Sequence, residues 1–361
     1  MLTSERLDAL TASAVSLLKD LIGIPSLSRE EDASARRIER YLQEAGLSVH
    51  TKQNNGWVRS RDTRPEWPTV LLNSHHDTVK PAASWTLDPF TPTMRRGKLF
   101  GLGSNDAGGA LVSLLHTFLY LNELPDRGYN LVFAATAEEE ISGANGIAAI
   151  LDELGPIDLG IVGEPTQMNL AVAEKGLMVL DCEAKGLSGH AARKEGINAI
   201  YEAIQDIEWI KNFHFPDKSD LLGEVNMAVT QVQAGTQHNV VPDRCTFVVD
   251  VRTNERYTNQ QVLEIIDHNT ISEVTPRSLR LNSSGISLEH PIVQRGIELG
   301  LTTFGSPTLS DQALMTGFPT LKVGPGKSER SHTADEYIKV EEIRQGIATY
   351  CQLLEGVTMV R

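Results

Sequence analysis

Apolar residues follow two different rhythms along this chain. Over residues 3–22, Leu7, Leu10, Ala14, Leu17, Leu18 and Leu21 recur at helical spacing, which predicts an amphipathic helix ended by Pro25. A second helix is expected over 31–45, stopped by Gly46. Short apolar runs near 47–52, 69–74, 130–137 and 158–163 predict strands, and helices are expected between them near 106–122 and 142–154. Unbroken apolar runs of this length are what strands buried on both faces of a parallel sheet look like. Their alternation with helices is the α/β pattern.

From about residue 175 the rhythm changes. Leu177–Ala184 predicts a strand, Ile197–Phe213 a long helix, Asn226–Ala234 and Cys245–Arg252 two successive strands, Asn259–Asn269 a helix and Ser278–Asn282 a last strand. The order β-α-β-β-α-β is that of a ferredoxin-like α+β unit. Residues 291–303 and 340–354 then return to helix, with a Phe318–Val323 strand between them. The expected organisation is one α/β domain, 1–174 with 284–361, interrupted by an inserted α+β domain over 175–283.

The α/β strands carry the candidate chemistry at their ends. Val70–Ser74 leads into His75-His76-Asp77, Leu131–Ala137 into Glu138-Glu139-Glu140, and Leu159–Gly163 into Glu164-Pro165. Phe318–Val323 leads through Gly324-Pro325-Gly326 to His332, and Asp106 follows a glycine-rich turn and opens a helix. In open α/β sheets, ligands bind just beyond the carboxyl ends of the strands. His, Asp, Glu, Glu and His supplied to that edge make a metal-dependent enzyme the first reading. On a strand, His75 and Asp77 share a face, so Asp77 is placed to accept the imidazole's second N–H and set its tautomer. His76 faces the other way and is expected to be structural. Adjacent carboxylates at 138–140 allow one to bind metal while another stays free as general base.

Composition narrows the choice. Lys and Arg number 33 against 47 Asp and Glu in 361 residues, a net charge of −14, which disfavours nucleic acid and anionic membranes as partners. No stretch is long and apolar enough to span a bilayer, and the N-terminus has no signal-peptide pattern, so a cytoplasmic location is expected. Cys182, Cys245 and Cys351 have no CxxC spacing, which argues against a disulfide framework or a thiolate zinc site. His50, His116, His214, His268 and His290 sit in contexts expected to be structural or solvated. Gly101–Gly109 resembles a dinucleotide loop only superficially, because Asp106 stands where a glycine is required. Lys185–Gly189 does not fit the GxSxG of a serine hydrolase.

Together these motifs resemble the acetylornithine deacetylase, succinyl-diaminopimelate desuccinylase and carboxypeptidase G family of dinuclear zinc hydrolases. The resemblance spans nearly the whole chain, including the opening Leu17–Ser26 segment. It implies a three-layer zinc-peptidase-like catalytic domain and an inserted lid that also makes a homodimer. It implies two zinc ions, with cobalt or manganese as alternatives, sharing Asp106: one with His75 and Glu164, the other with Glu140 and His332. Asp77 would orient His75, and Glu139 would be the general base. In the insert, His190 matches a lid histidine that stabilises the oxyanion in the partner subunit's site. Asn239, in Asn239–Pro242, matches a residue near the substrate, and Arg252 is placed to hold a substrate carboxylate.

The expected activity is hydrolysis of an N-acyl amino acid, with acetylornithine or acetylcitrulline in arginine biosynthesis as first choice. An N-succinyl substrate, a dipeptidase or a carboxypeptidase are the alternatives. Three departures from the family pattern bear on substrate: Leu309 for a polar Thr, Ala313 for Arg, and Lys327 for the Asp of a GPGD turn. Lys327 and Arg330 could pair with an acidic acyl group. Every expected ligand position is filled, which argues against a non-catalytic relative.

Overall fold

The computed structural model describes residues 2–193 and 195–358. Contacts divide the chain into two units: Met1–Val172 with Gly285–Phe304 and Ser310–Arg361, and Ala173–Ser284 with Gly305–Leu309.

The first unit is built on a nine-stranded mixed sheet. Its first six strands in spatial order are His50–Lys52, Asn55–Arg59, Asn130–Thr136, Thr69–His75, Leu159–Val162 and Thr320–Lys322. The last four of these run parallel, with His75 in register with Thr136. Every residue of Thr69–His75 and of Asn130–Thr136 is buried, as their continuous apolar runs require. Neighbouring side chains on one strand feed opposite layers. Val70 and Leu72 join the cluster that holds Leu111, Leu115 and Phe118, while Leu71 joins Val132, Ala134 and Ile150. Helix Gly109–Asn122 is buried on almost every side because it packs on the sheet and also against Ser4–Ile22 and Val340–Leu354.

The second unit has the order β-α-β-β-α-β, with strands Gly176–Lys185, Asn226–Ala234, Arg244–Thr253 and Glu273–Pro276. Its antiparallel sheet places Arg244–Thr253 and Gly176–Lys185 at the centre. Burial alternates along both central strands, because only one face is packed. That face joins Leu180, Phe247, Val249 and Val251 to Ala203, Ile210, Val262 and Ile266 of the two helices.

Several expected elements differ. No long helix occupies 142–154; a single 3-10 turn, Ile147–Ala149, precedes Leu151–Leu154. The chain first folds back on Glu138, whose carboxylate accepts from the Asn145 amide and side chain at 3.2 and 2.9 Å. The last strand of the second unit is Glu273–Pro276, and not 278–282. Leu281 is buried and Leu279 partly buried without pairing as a strand: Asn282 caps the Asn259 amide, and the Leu281 carbonyl accepts from Leu177. The helix expected over 291–303 ends at Glu298, since Gly300 at φ 82° turns the chain toward a strand at Thr303–Ser306.

Candidate metal centre

Because the central strands are parallel, their carboxyl ends lie along one edge of the sheet. His75 ends the first strand, Glu138–Glu140 follow the second after Ala137, and Glu164 follows the third after Gly163. Glu138 adopts a left-handed conformation, φ 54°, which reverses the chain so that Glu139 and Glu140 return over the strand end. Asp106 lies in an irregular turn, Ser104–Gly108, introduced by Gly103 at φ 73°. His332 lies on a loop at φ 58°.

These side chains converge. His75 Nε2 lies 3.4 Å from Asp106 Oδ1, 3.6 Å from Glu164 Oε1 and 3.8 Å from Glu139 Oε2. His332 Nε2 lies 3.6 Å from Asp106 Oδ2 and 2.9 Å from Glu140 Oε2. Asp106 therefore offers one oxygen to each imidazole. Among the described residues, two groups have ligand atoms mutually within 4.8 Å: His75, Asp106 and Glu140, and His75, Glu139 and Glu164.

Asp77 supports the centre from beneath. The His75 Nδ1 is 3.0 Å from the Asp77 carbonyl and 3.4 Å from its carboxylate. The same carboxylate accepts the backbone N–H groups of Glu139 at 3.0 Å and Glu140 at 3.2 Å, and the Ser28 hydroxyl at 2.7 Å. One side chain thus ties the His75 imidazole to the turn bearing two carboxylates. His76 points away, with its nitrogens 3.0 Å from Ser34 Oγ and 2.9 Å from the Asn54 carbonyl, a structural role.

The electrostatics show a surplus of buried negative charge. Burial raises the Glu139 carboxyl well above its usual range, and Glu164, Asp311 and Glu140 raise it further against the pull of His75. Burial likewise raises Glu140, and it lifts Glu164 to about 8. The hydrogen bond to Glu140 lifts His332 to about 9. Burial disfavours a charged His75, but Glu139, Asp106, Asp77 and Glu164 outweigh it and raise that imidazole too. Burial opposes the charge of Asp106 as well, but His75 lowers that carboxyl, so the raised groups are the acids crowded beyond it, a setting that a bound cation would relieve.

The donor set fits divalent metal. His75 Nε2 and Glu164 Oε1 are buried and have no hydrogen-bond partner, a costly arrangement unless something else occupies them. Ligand atoms about 2.1 Å from one ion at tetrahedral angles stand roughly 3.4 Å apart, close to the His75–Asp106 and His75–Glu164 separations.

The remaining predicted residues lie in the second unit. His190 is exposed, accepts the Ala192 amide on Nδ1 at 3.2 Å, and pairs with Val240 in an isolated bridge. The Asn239 carbonyl accepts the Ala191 amide, so His190 and Asn239 belong to one loop pair. Arg252 is held by Asp250 through two contacts of 2.8 and 3.1 Å. In the first unit, Arg330 is not free to meet a substrate: it forms a bidentate pair with Glu342 at 2.7 and 2.9 Å beneath the Tyr337 ring. Lys327 is exposed, and Ala313 is fully buried.

Sequence reasoning gave no role to three buried acids around the centre. Glu31 accepts the Glu138 amide at 3.2 Å, and Asp311 joins Asn73 to Thr136 at 2.8 and 2.9 Å. Glu336 accepts amides of the Asp106 turn. No local sequence pattern sets them apart: Glu336 stands beside another acid, Asp335, in a partly exposed stretch.

A parallel sheet with carboxylates and imidazoles gathered at its carboxyl edge defines a metal-dependent hydrolase. The chain belongs to Peptidase family M20/M25/M40, whose model matches residues 71–356. It is 24% identical over 377 residues to succinyl-diaminopimelate desuccinylase 2 of Ruegeria sp. (strain TM1040), covering 94% of each chain. It is 25% identical over 373 residues to acetylornithine deacetylase of Proteus mirabilis (strain HI4320), covering 95% of this chain and 96% of that one. Among solved structures, it shares the fold of a dinuclear metal binding peptidase of the M20 family from Bacillus subtilis, with TM-score 0.74, 19% identity and coverage of 96% and 98%. A tripeptidase from Staphylococcus aureus shares it too, with TM-score 0.77, 20% identity and coverage of 96% and 97%. No helix among the described residues is long and apolar enough to cross a membrane.

Proposed function

We propose that this protein is a two-metal, cytoplasmic amidohydrolase that removes an N-succinyl group from an amino acid. The observation that carries the hydrolase reading is the convergence of His75, Asp106, Glu139, Glu140, Glu164 and His332 at one sheet edge, with His75 Nε2 and Glu164 Oε1 buried and unpartnered. The acetylornithine-type substrate expected first gives way to the succinyl alternative, because relatives matching along most of their length are named succinyl-diaminopimelate desuccinylase. The Proteus relative keeps N-acetyl amino acids as the second reading.

His75 and Glu164 would hold one ion and Glu140 and His332 the other, with Asp106 shared. Bound divalent ions, zinc first among them, would acidify water and draw charge from the scissile carbonyl. Glu139 takes the proton of the attacking water and returns it to the leaving amine, a task suited to a carboxyl whose pKa is raised by burial. Asp77 holds His75 and the 139–140 turn in place. The second unit would serve as lid and dimerisation domain, with His190 of one copy stabilising the oxyanion in the other. Asn239 would sit near the substrate, and Arg252 would share its guanidinium between Asp250 and the substrate carboxylate. Lys327 would pair with the succinyl carboxylate.

A released-amine assay on metal-quantified protein tests this. N-succinyl amino acids should be cleaved at least about tenfold faster than N-acetyl counterparts, a difference of about 1.4 kcal/mol. Lys327→Ala should raise KM for succinyl substrates alone. Faster cleavage of acetyl substrates would hand the assignment to the second reading.

A further inference from the structure

We propose that Glu336 is a positioning residue for the metal centre, building the turn that presents Asp106 to both imidazoles. The proposal rests on the two-metal reading of that centre.

Glu336 is buried, at 2% exposure, four residues beyond His332. Its carboxylate accepts three backbone N–H groups of one turn: Gly103 at 3.1 Å, Asn105 at 2.7 Å and Asp106 at 2.9 Å. Its own carbonyl accepts the Gly101 amide at 3.1 Å. The turn is irregular, so these N–H groups have no helix or sheet partners, and Ser104, Asn105, Ala107 and Gly108 around them are buried. Buried N–H groups need acceptors. A single carboxylate supplies one to all three, as an anion does in a backbone nest.

The contact also sets a distance. His332 and Asp106 come from segments more than 200 residues apart, and Glu336 belongs to the His332 loop while grasping the Asp106 turn. Asn105 adds a second clasp, donating to the Lys327 carbonyl and accepting its amide, both at 2.9 Å. Asp335, next in line, accepts the Thr86 and Leu87 amides at 3.0 Å each and so anchors the loop outward. Glu336 thus holds the backbone that carries Asp106 against the loop that carries His332, whose Nε2 lies 3.6 Å from Asp106 Oδ2.

The test is metal uptake by metal-stripped protein, followed calorimetrically with Zn2+ and by visible absorption with Co2+. Wild type should take up two equivalents. Glu336→Gln removes the charge and turns an N–H donor on the turn. It should weaken at least one equivalent by about tenfold to a hundredfold and alter the cobalt spectrum. Glu336→Asp, which keeps the charge one methylene short, should fall between. A Gln variant that binds both equivalents within about threefold of wild type overturns the proposal, even with a lowered melting point. So does failure of both variants to fold, which would make Glu336 a residue of the fold alone. Fewer than two equivalents in wild type overturns the underlying metal reading instead.

Discussion

The two sheets of this protein treat charge in opposite ways. In the first unit, the strands Thr69–His75 and Asn130–Thr136 are buried throughout, and ionisable side chains appear only at or past their carboxyl ends. There it is buried, crowded and mostly of one sign. In the second unit, burial alternates along Gly176–Lys185 and Arg244–Thr253, and the open face carries acids and bases in matched pairs, such as Asp181 with Arg277 and Lys185 with Glu273. Charges that water can reach are cheap to keep and contribute little. Carboxylates packed together away from water are costly, and they persist where a cation or a reaction requires them. The contrast locates the chemistry without reference to any motif.

The largest effect expected from this contrast is loss of the base. Glu139→Gln should lower kcat by about 10²–10⁴-fold while metal content, measured by elemental analysis, stays at the wild-type level. Chelation should abolish turnover and lower the melting transition of the first unit, because ligands that bind only the folded state stabilise it. Activity that survives complete metal removal would erase the distinction between the two sheets.

The convergence of His75, Glu139, Glu140 and Glu164 was legible in the sequence because each stands at or just past the end of a buried apolar run. Asp106 follows a glycine-rich turn and His332 lies on a loop, so their place at the same edge was less plain. The second unit's topology was legible for a similar reason, its period-two strands and long helices being spaced as the ferredoxin-like order demands. What escaped were features decided by tertiary partners. The 142–154 segment has helix-compatible residues, but Glu138 draws Asn145 into a turn first. The Leu279–Leu281 stretch has strand-like residues, but Glu273–Pro276 takes the sheet edge. Arg330 read as a substrate contact until Glu342, from a helix at the end of the chain, proved to hold it. Glu31, Asp311 and Glu336 act by accepting hydrogen bonds from segments remote in sequence, and no local pattern announces that.

Support beneath the ligands should rank next. Asp77→Asn keeps the shape but weakens three acceptances, two of them from the amides of Glu139 and Glu140. Metal affinity should fall by about 10–100-fold, read by competition with a chromogenic chelator. Asp250→Asn, an acid beside Arg252 in the second unit, should leave metal affinity unchanged while raising KM. Equal metal loss in both variants would contradict the division of labour.

Acid should loosen the first unit through His116. Burial lowers its pKa to about 4, against an accepting Val112 carbonyl at 2.7 Å, with Tyr41 on its other nitrogen. The folded value lies below the unfolded value of 6.5. The unfolded chain therefore binds the extra proton, so this stability is whole above about pH 6.5 and is lost as pH falls toward about 4. The stability difference between wild type and His116→Asn, from urea titrations, should shrink by about 3 kcal/mol between pH 7 and pH 4. The described histidines of the second unit, His190, His214, His238 and His268, are exposed. A pH-independent difference would show that His116 takes up its proton equally in the folded and unfolded chain.

The smallest effect belongs to the open face of the second unit. Asp181 and Arg277 meet at 2.8 Å, yet both side chains remain about half exposed, at 49% and 54%. Each is already well hydrated before the pair forms, and holding two long side chains in one geometry costs entropy that offsets the attraction. Salt screens what remains. Arg277→Gln should therefore leave the urea midpoint of the second unit unchanged within error, at low and at high salt. Val249→Ala, on the packed face of the same sheet at 0% exposure, should lower it clearly, with a loss of unfolding free energy of more than about 1 kcal/mol. Val249 lies in the four-stranded sheet and Arg277 directly follows its last strand to pair with Asp181 on the open face, so the pair of variants compares the two faces in a single fold. A midpoint that moves as far for Arg277→Gln as for Val249→Ala would mean that charge on this face is structural, and that exposure alone does not separate the two sheets.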